Sequence, residues 1–425
     1  MYLKETLGNG LRLITVPFPH IESVTVLLMF RVGSRYETRE TWGLSHFLEH
    51  LMFKGTERRP NTLAISRELD SLGAEYNAFT SKDYTGYYIK VNAEKLRLVL
   101  DMMADMILHS RYDAKELERE KQVIYEEIKM YRENPMMYIE EFFEALMYDG
   151  STLGWDISGS PHSLAGITRQ QVLDYKNTHY LSANGVLAIV GRLDPSLHDW
   201  VDEFFVQPFQ TADTKRPSFR RFHHKASKLP CVNVDRRVVE QTQVGLGFPA
   251  YPYEHEYLPA ERLLAIILGG NMSSRLFIRV RERLGYAYSV SASPVVYEDT
   301  GHFFIQAGVD AKRLEAALRA IFKELSSIVK KGVTTAELRR AKDFLKGKLI
   351  LSFEDSEHVA HWYSKQELIL GMTLTHEEYL RRFETVTVND IQTVAREIFH
   401  WNKMRLALIG PVDDGRVLLR ETLLP

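Results

Sequence analysis

The chain has 425 residues, of which 45% are hydrophobic and 26% are charged, and its formal net charge is −2. This length predicts more than one domain, and the composition excludes a largely disordered chain. Since the charges nearly balance, the chain lacks the basic surface that nucleic-acid binding requires, and we expect no nucleic-acid partner.

The cysteine content and the N-terminal residues bear on location. A single cysteine, Cys231, excludes an intramolecular disulfide framework and favours a reducing compartment. The first residues resemble neither a secretory signal nor an organelle presequence, and no apolar run reaches the roughly 18 residues of a membrane span. We therefore expect a cytoplasmic protein without a membrane span.

The first elements alternate between strands and helices. Asn9-Gly10 is typical of a tight turn, and the apolar stretches LRLITV and SVTVLLMFRVG that follow predict strands. GLSHFLEHLMFKGT predicts a helix, and a second helix around Leu63 to Leu72 ends at Gly73. EYNAFTSKDYTGYYIKV predicts two strands joined by a polar turn. Long helices are predicted over about 93–109 and 114–132.

The first of these helices contains a possible metal-binding motif. His46 and His50 lie one helical turn apart, so both imidazoles face the same side and can bind one metal ion. Glu49 stands beside them in the order His-x-x-Glu-His, which is typical of the inverzincin peptidases. The same spacing within an apolar stretch also fits packed core histidines, and the pentapeptide alone does not decide between these readings.

The stretch 211–230 is polar and basic and contains two prolines, which predicts an interdomain linker. It includes the adjacent residues His223 and His224. Adjacent side chains on an extended segment point to opposite sides, so we expect these two to be solvated histidines rather than metal ligands.

After the linker the pattern of the first half is repeated. The segment that begins at Tyr88 aligns with the segment that begins at Phe304, with a strand followed by a helix in both. This repeat predicts two homologous domains, residues 1–210 and 231–425.

The two halves differ at the residues of chemical interest. The segment that begins at Lys115 also aligns with the segment that begins at Ala336, and in this alignment Glu120 falls opposite Ala341 and Glu127 falls opposite Lys348. The second half also has no His-x-x-Glu-His. We therefore expect the metal site only in the first domain.

A catalytic zinc site needs a third protein ligand. The predicted helix 114–132 offers several carboxylates, and most of them fit an exposed charged face: Glu116, Glu118, Glu120, Glu126 and Glu127. Glu120 and Glu127 lie two turns apart on a face shared with Val123 and Ile124, so this face is expected to point inward. A buried carboxylate pair requires a cation or hydrogen bonds to compensate it.

Taken together, these motifs resemble the family of pitrilysin, insulin-degrading enzyme and the mitochondrial processing peptidase. The likeness extends over nearly the whole chain. It rests on HFLEH, EYNAFTSKDYTGYY, the glutamate within EREKQVIYEEI, the RENP turn and SSRLFIRVRERLGYAYSVSA.

The resemblance implies a zinc site with one ion per chain. His46 and His50 match the imidazole ligands, and Glu127 matches the carboxylate ligand. Glu49 matches the general base that deprotonates the zinc-activated water. Glu120 matches a second carboxylate that supports a histidine ligand from outside the metal site.

The resemblance also implies where a substrate binds. Asn77, Ala78 and Thr80 match the edge strand against which the substrate backbone pairs, by strand addition.

In the second half, Arg279 and Tyr286 match an Arg-Tyr pair that contacts the substrate and the developing oxyanion. Arg281 and Tyr288 repeat the same spacing two residues later, so the register stays open. We prefer the first pair because Tyr286 directly follows Leu284-Gly285.

The family likeness implies an α+β fold: two homologous domains, each a largely antiparallel sheet with helices packed on one face. Short family members pair two subunits around a chamber, so we expect a homodimer, or a heterodimer with a homologous chain. The expected function is a zinc-dependent endopeptidase that cleaves peptides or unfolded segments inside the enclosed chamber.

Two alternatives are a non-catalytic or assembly subunit of a family heterodimer, and a metal-binding scaffold without turnover. The sequence leaves open the natural substrate, the cleavage-site preference and the choice between peptide disposal and presequence processing.

Overall fold

The structure is a computed structural model that describes residues 2–209, 218–224 and 231–413. The strands are β1 (Leu3–Thr6), β2 (Arg12–Pro17), β3 (Ser23–Phe30), β4 (Glu75–Thr80), β5 (Thr85–Asn92), β6 (Gly185–Gly191), β7 (Cys231–Arg236), β8 (Gln241–Ala250), β9 (Ala287–Val296), β10 (Gly301–Asp310) and β11 (Arg405–Gly410).

The α-helices are α1 (Leu44–Leu51), α2 (Thr62–Ser71), α3 (Leu96–His109), α4 (Ala114–Glu133), α5 (Pro135–Met147), α6 (Pro161–Gly166), α7 (Arg169–His179), α8 (Leu197–Val201), α9 (Leu258–Gly269), α10 (Leu314–Lys331), α11 (Thr335–Ser352), α12 (Ser356–Leu370), α13 (His376–Glu384) and α14 (Val388–Ile398). Phe277–Arg283 forms π-helical turns. Across the described ranges, no helix is both long enough and apolar enough to cross a membrane.

The described residues form two compact units. The first unit takes its residues from 1–128, 155–220 and 350–375, and the second from 129–154, 221–349 and 376–425. Each unit therefore includes a segment from the opposite half of the chain. Most of the predicted linker 211–230 lies outside the described residues, and the domain boundaries at residues 210 and 231 stay a prediction.

The two units contain sheets of the same topology. The first sheet has the strand order β1-β2-β6-β3-β5-β4, and the second has the order β7-β11-β8-β10-β9. When β1 is set aside, the two orders correspond strand for strand. Neighbouring strands are antiparallel except for the parallel pairs β2–β6 and β7–β11. The predicted α+β fold of two homologous, largely antiparallel domains is confirmed.

Alternation along β3 places one set of its side chains in the main core of the first unit. Val24, Val26 and Leu28 are buried there together with Leu44 and Leu48 of α1. Successive side chains of a strand point to opposite faces of the sheet, so every second residue of β3 faces this core. The core therefore joins the sheet directly to the helix that carries the histidine motif.

The other face of β3 is covered by α12, from the C-terminal half of the sequence. The hydroxyl groups of Thr25 and Ser356 are hydrogen-bonded at 2.8 Å. Lys90 pairs with Asp355 at 3.0 Å, and Lys4 pairs with Glu367 at 2.8 Å. The central strands carry apolar side chains on both faces of the sheet. The predicted helices cover one face only, so α12 is needed to cover the other.

The second unit likewise contains a helix from the opposite half of the sequence, because α5 packs against β8 and β11. The aromatic ring of Phe143 lies against Gly245 and Gly247, and a Cβ atom at Gly247 would lie 2.5 Å from that ring. Glycine at this position therefore allows the close approach of α5. Helical periodicity shows that a helix buries one face, but it does not show which sheet covers that face. The sequence therefore did not reveal that α5 and α12 each pack in the unit formed mainly by the opposite half of the chain.

We expect Val359→Asp, in α12, to destabilise the first unit although residue 359 lies in the C-terminal half of the sequence. Val359 is fully buried, and an unpaired charge at such a position costs on the order of 3 kcal/mol or more. Hydrogen exchange followed by mass spectrometry should show lower protection in β3 and β6. Ile391→Asp, in α14 of the second unit, is the control and should affect β8 and β10 instead. If Val359→Asp lowered protection only in β8 and β10, this would contradict the packing of α12 in the first unit.

Candidate metal centre

The histidine motif lies on α1, whose sequence explains its position. The helix begins after Gly43, which has a φ of 91° in the left-handed region that favours glycine. Leu44, Phe47 and Leu51 are buried on its apolar side. These residues fix which side of the helix faces the core, and the two histidines one turn apart share the remaining side.

Three potential metal-binding side chains from two helices meet in the first unit. The Nε2 atoms of His46 and His50 lie 3.2 Å apart. Glu127 Oε2, on α4, lies 3.8 Å from His46 Nε2 and 3.6 Å from His50 Nε2. Ligand atoms about 2.1 Å from a tetrahedral zinc ion are about 3.4 Å apart. The three donors therefore have the spacing expected of zinc ligands.

The chemistry of these donors also fits a cation. Burial, together with the charge of His50, lowers the pKa of His46 to about 3, so this imidazole is neutral near pH 7. Glu127 Oε2 is buried and has no hydrogen-bond partner among the described residues. Burial raises the pKa of Glu127, as do the charges of Asp156 and Glu120. A divalent cation would compensate this carboxylate and accept the imidazole lone pairs.

Glu120 holds His50 from the side away from the other donors. His50 Nδ1 lies 2.8 Å from Glu120 Oε1, and Lys54 Nζ lies 2.7 Å from Glu120 Oε2. Burial opposes the charged form of Glu120, but the hydrogen bonds from His50 and Lys54 outweigh it and lower the pKa. A proton on Nδ1 that is donated to Glu120 leaves Nε2 of His50 free to bind a metal.

The proton balance at His50 follows from the same contacts. Burial lowers the pKa of His50, but the hydrogen bond with Glu120 and the charges of Glu49, Glu120 and Glu127 raise it by more, so the net shift is upward. Three nearby carboxylates thus favour a positive charge at this position, which either a second ring proton or a bound cation would supply.

Glu49 contacts a residue of the strand β4. The hydroxyl group of Thr80 donates a hydrogen bond to Glu49 Oε2. Burial raises the pKa of Glu49, and the charge of Glu127 adds to this, whereas the Thr80 hydrogen bond and the charge of His50 lower it. The net upward shift brings the carboxylate closer to the range in which it exchanges a proton near neutral pH.

The predicted substrate strand is at an edge of its sheet. Among the described residues, β4 pairs only with β5. Asn77 is exposed, and Ala78 and Thr80 are partly buried. One side of the β4 backbone is therefore available for pairing with an extended peptide.

The two candidate Arg-Tyr pairs lie in the second unit and have different surroundings. Arg279 Nε lies 3.9 Å from Glu324, and the Tyr286 ring packs against the core of the unit. The Arg281 guanidinium lies 5.6 Å from the ring centroid of Tyr288, which is 72% exposed. The second pair is thus in direct contact, and the register stays open.

Among the described residues, no cluster of metal ligands surrounds the linker histidines. His223 is exposed, and His224 Nε2 lies 3.2 Å from the Thr300 hydroxyl group. Within the part of the chain that the structure describes, His46, His50 and Glu127 form the one cluster of three potential ligands.

Lys54 was not identified from the sequence. It follows His50 by four residues, as His50 follows His46, and this spacing was the signal that could have revealed it, although α1 ends at Leu51.

Comparisons with known proteins identify the family of this chain. Residues 13–160 match the profile of the insulinase family, peptidase family M16, and residues 166–345 match the profile described as the peptidase M16 inactive domain. An uncharacterized zinc protease of Bacillus subtilis is 34% identical over 411 residues, which cover 97% of this chain and 98% of the relative. An uncharacterized zinc protease of Mycobacterium tuberculosis is 34% identical over 423 residues, 98% of this chain and 95% of the relative.

Solved structures share the fold. A protease from Helicobacter pylori has a TM-score of 0.90 and 24% identity, covering 97% of this chain and 99% of that protein. A Pseudomonas fluorescens protein described as a peptidase M16 inactive domain has a TM-score of 0.88 and 20% identity, covering 97% and 98%. The fold is thus the two-domain fold of the M16 peptidases. The chain belongs to peptidase family M16.

We expect Lys54→Met to weaken zinc binding. Without the ammonium group, the pKa of Glu120 rises and its hold on His50 weakens; loss of such supporting contacts typically costs about tenfold or more in metal affinity. Competition with a chromophoric chelator measures the dissociation constant. Lys121→Met, on the same helix as Glu120, removes a lysine that pairs with Glu118 and serves as the control. Equal zinc affinities in the two variants would contradict this role of Lys54.

Proposed function

We propose that this protein is a zinc-dependent endopeptidase with one zinc ion per chain, bound by His46, His50 and Glu127. The single observation that carries the proposal is the cluster of these three donors on two helices, with Glu49 beside it. Membership of family M16, whose relatives are named zinc proteases, supports the same reading. The proposal also assigns the metal site to residues 1–210, with 231–425 as a homologous domain without zinc.

Zinc bound at this site supplies Lewis-acid chemistry, which polarises a carbonyl group and lowers the pKa of water. Glu49 takes the proton of the attacking water on its carboxylate and returns it to the departing amine. Thr80 holds the Oε2 atom of Glu49, so that the other carboxylate oxygen receives the proton. Glu120 and Lys54 keep the His50 ring in the orientation that presents Nε2.

The substrate is proposed to be an extended peptide or unfolded segment. Its backbone adds to the free edge of β4 at Asn77, Ala78 and Thr80, because an edge strand offers unpaired N–H and C=O groups. Arg279 and Tyr286 are proposed to donate hydrogen bonds to the substrate and to the developing oxyanion. An enclosed chamber would restrict access to such extended chains. A cytoplasmic location stays a prediction.

A non-catalytic role is the second candidate, since residues 166–345 match a profile described as an inactive domain. That match covers the half of the chain without the motif. The matched residues 13–160 of the insulinase profile contain His46, Glu49, His50 and Glu127. The intact donor set therefore favours the peptidase.

We propose a homodimer, in which the chain supplies both the zinc motif and the Arg-Tyr pair. A chain with both parts needs only a second copy of itself to complete a chamber. Size-exclusion chromatography with light scattering should give twice the mass of 49.2 kDa. A purely monomeric protein that cleaves peptides would contradict the dimer, and activity only after addition of a homologous chain would indicate a heterodimer.

Two substitutions separate the base from the metal ligand. Glu49→Gln is expected to reduce peptide cleavage by about 10³-fold or more while zinc stays bound, because only the base is lost. Glu127→Ala is expected to lose zinc and activity together. Zinc content by atomic absorption and turnover of a quenched peptide measure both effects.

Glu126→Ala, at the exposed position next to Glu127, is the control and should retain zinc and turnover. Normal cleavage by Glu49→Gln would exclude Glu49 as the base, and full zinc content in Glu127→Ala would exclude Glu127 as a ligand.

A further inference from the structure

Glu37 is a buried carboxyl group for which the proposed mechanism has no role. It is 4% exposed, and its two carboxyl oxygens accept hydrogen bonds from the start of α1. The Gly43 N–H group donates to Oε2 at 2.8 Å, and the Ser45 N–H group donates to Oε1 at 2.7 Å. The first N–H groups of a helix have no partner within the helix, so a side chain must satisfy them when they are buried.

The helix that carries the zinc motif cannot supply this cap itself. Its N-cap residue is Gly43, which has no side chain. Glycine is required there because its φ is positive and because a Cβ atom would lie 2.8 Å from the Cα atom of Gly159. The cap therefore comes from Glu37 in the preceding loop, whose two carboxyl oxygens accept from the N–H groups of Gly43 and Ser45.

The capped turn is next to the metal ligands. His46 follows Ser45 directly, and the Ser45 hydroxyl group is hydrogen-bonded to the Tyr175 hydroxyl group at 2.7 Å. α1 has only eight residues, so a shift of its first turn moves both histidines and Glu49.

The segment that carries Glu37 also holds the turn after β4. The N–H group of Ser34 donates to the Ser81 carbonyl at 3.1 Å, and the N–H group of Arg35 donates to the Lys82 carbonyl at 3.1 Å. The buried side chains of Arg35 and Asp83 pair at 2.7 Å.

Close backbone packing reinforces this attachment. A Cβ atom at Gly33 would lie 2.1 Å from the Ser81 carbonyl oxygen, so only glycine allows the contact. The segment 33–37 thus connects the residue after Thr80 to the first turn of α1.

We propose that Glu37 is a positioning residue: by capping α1 it fixes the zinc ligands and Glu49 relative to the edge strand β4. The segment 33–37 is then a brace between the two parts of the site, the metal-binding helix and the substrate strand. The Thr80–Glu49 hydrogen bond joins the same two parts directly. This inference rests on the proposed zinc site, but not on turnover.

The test compares Glu37→Gln with a cap of purely structural role in the same unit. Asp355 caps α12, where its Oδ1 atom accepts from the N–H groups of Glu357 at 2.8 Å and His358 at 3.2 Å. Asp355→Asn is therefore the matched control. Glu37→Asp, whose shorter side chain cannot span both N–H groups, is the second variant and keeps the test decisive if Glu37→Gln fails to fold.

Two readouts are measured without any substrate: zinc affinity by chelator competition, and hydrogen exchange of residues 44–51 in the metal-free protein. Glu37→Gln should bind zinc about tenfold more weakly and exchange the α1 amides about fivefold faster. Glu37→Asp should shift both in the same direction by less. Asp355→Asn should lower the thermal midpoint but leave both readouts within about twofold of the wild type.

Wild-type zinc affinity and wild-type α1 exchange in Glu37→Gln or Glu37→Asp would overturn the inference, as would an equal loss of affinity in Asp355→Asn. If the wild type binds zinc in a Glu37-dependent manner but cleaves no peptide, the inference stands and the peptidase proposal fails. If the wild type binds no zinc, the positioning role is overturned together with the metal site.

Discussion

The site depends on one electrostatic constraint: the half-buried carboxylate of Glu127 places its buried Oε2 atom beside two imidazoles, where it has no hydrogen-bond partner among the described residues. A charge in that position is unfavourable unless a cation compensates it. The same burial keeps His46 neutral, since it lowers the pKa of that residue to about 3. The described protein atoms therefore do not compensate this oxygen, whereas a bound divalent cation would.

The rest of the fold brings these groups together from separated parts of the chain. α1 is fixed by its apolar side in the core, and α4 presents Glu120 and Glu127 on one face. Lys54 and Glu120 orient one histidine, and Thr80 connects Glu49 to the edge strand. The central strands that support this arrangement are covered on the far side by α12, so a distant part of the sequence contributes to the stability of the metal centre.

Much of this could be predicted from the sequence. Helical periodicity placed His46 and His50 on one side of a helix, and the two-turn spacing of Glu120 and Glu127 placed them on one face. The repeat predicted two sheets of one topology, and the structure has them. These features are local or recur within the chain, so a single sequence reveals them.

Other features depend on tertiary contacts that leave no periodic signal. Glu37 lies in the loop before α1, six residues ahead of Gly43, and the neighbouring residues do not indicate that its side chain caps this helix. The placement of α5 and α12, each in the unit formed mainly by the opposite half of the chain, depends on which sheet its apolar face meets. A helical pattern in the sequence does not encode that choice. Lys54 is an intermediate case, since its spacing from His50 was visible although its partner Glu120 was not.

The most direct test of the central claim is cleavage of a quenched, unfolded peptide by the purified protein, before and after removal of metal by a chelator and after return of zinc. Cleavage is expected to stop on chelation and to return with zinc. Cleavage that persists in metal-free protein, or no cleavage by folded protein with zinc bound, would contradict the assignment as a zinc-dependent peptidase.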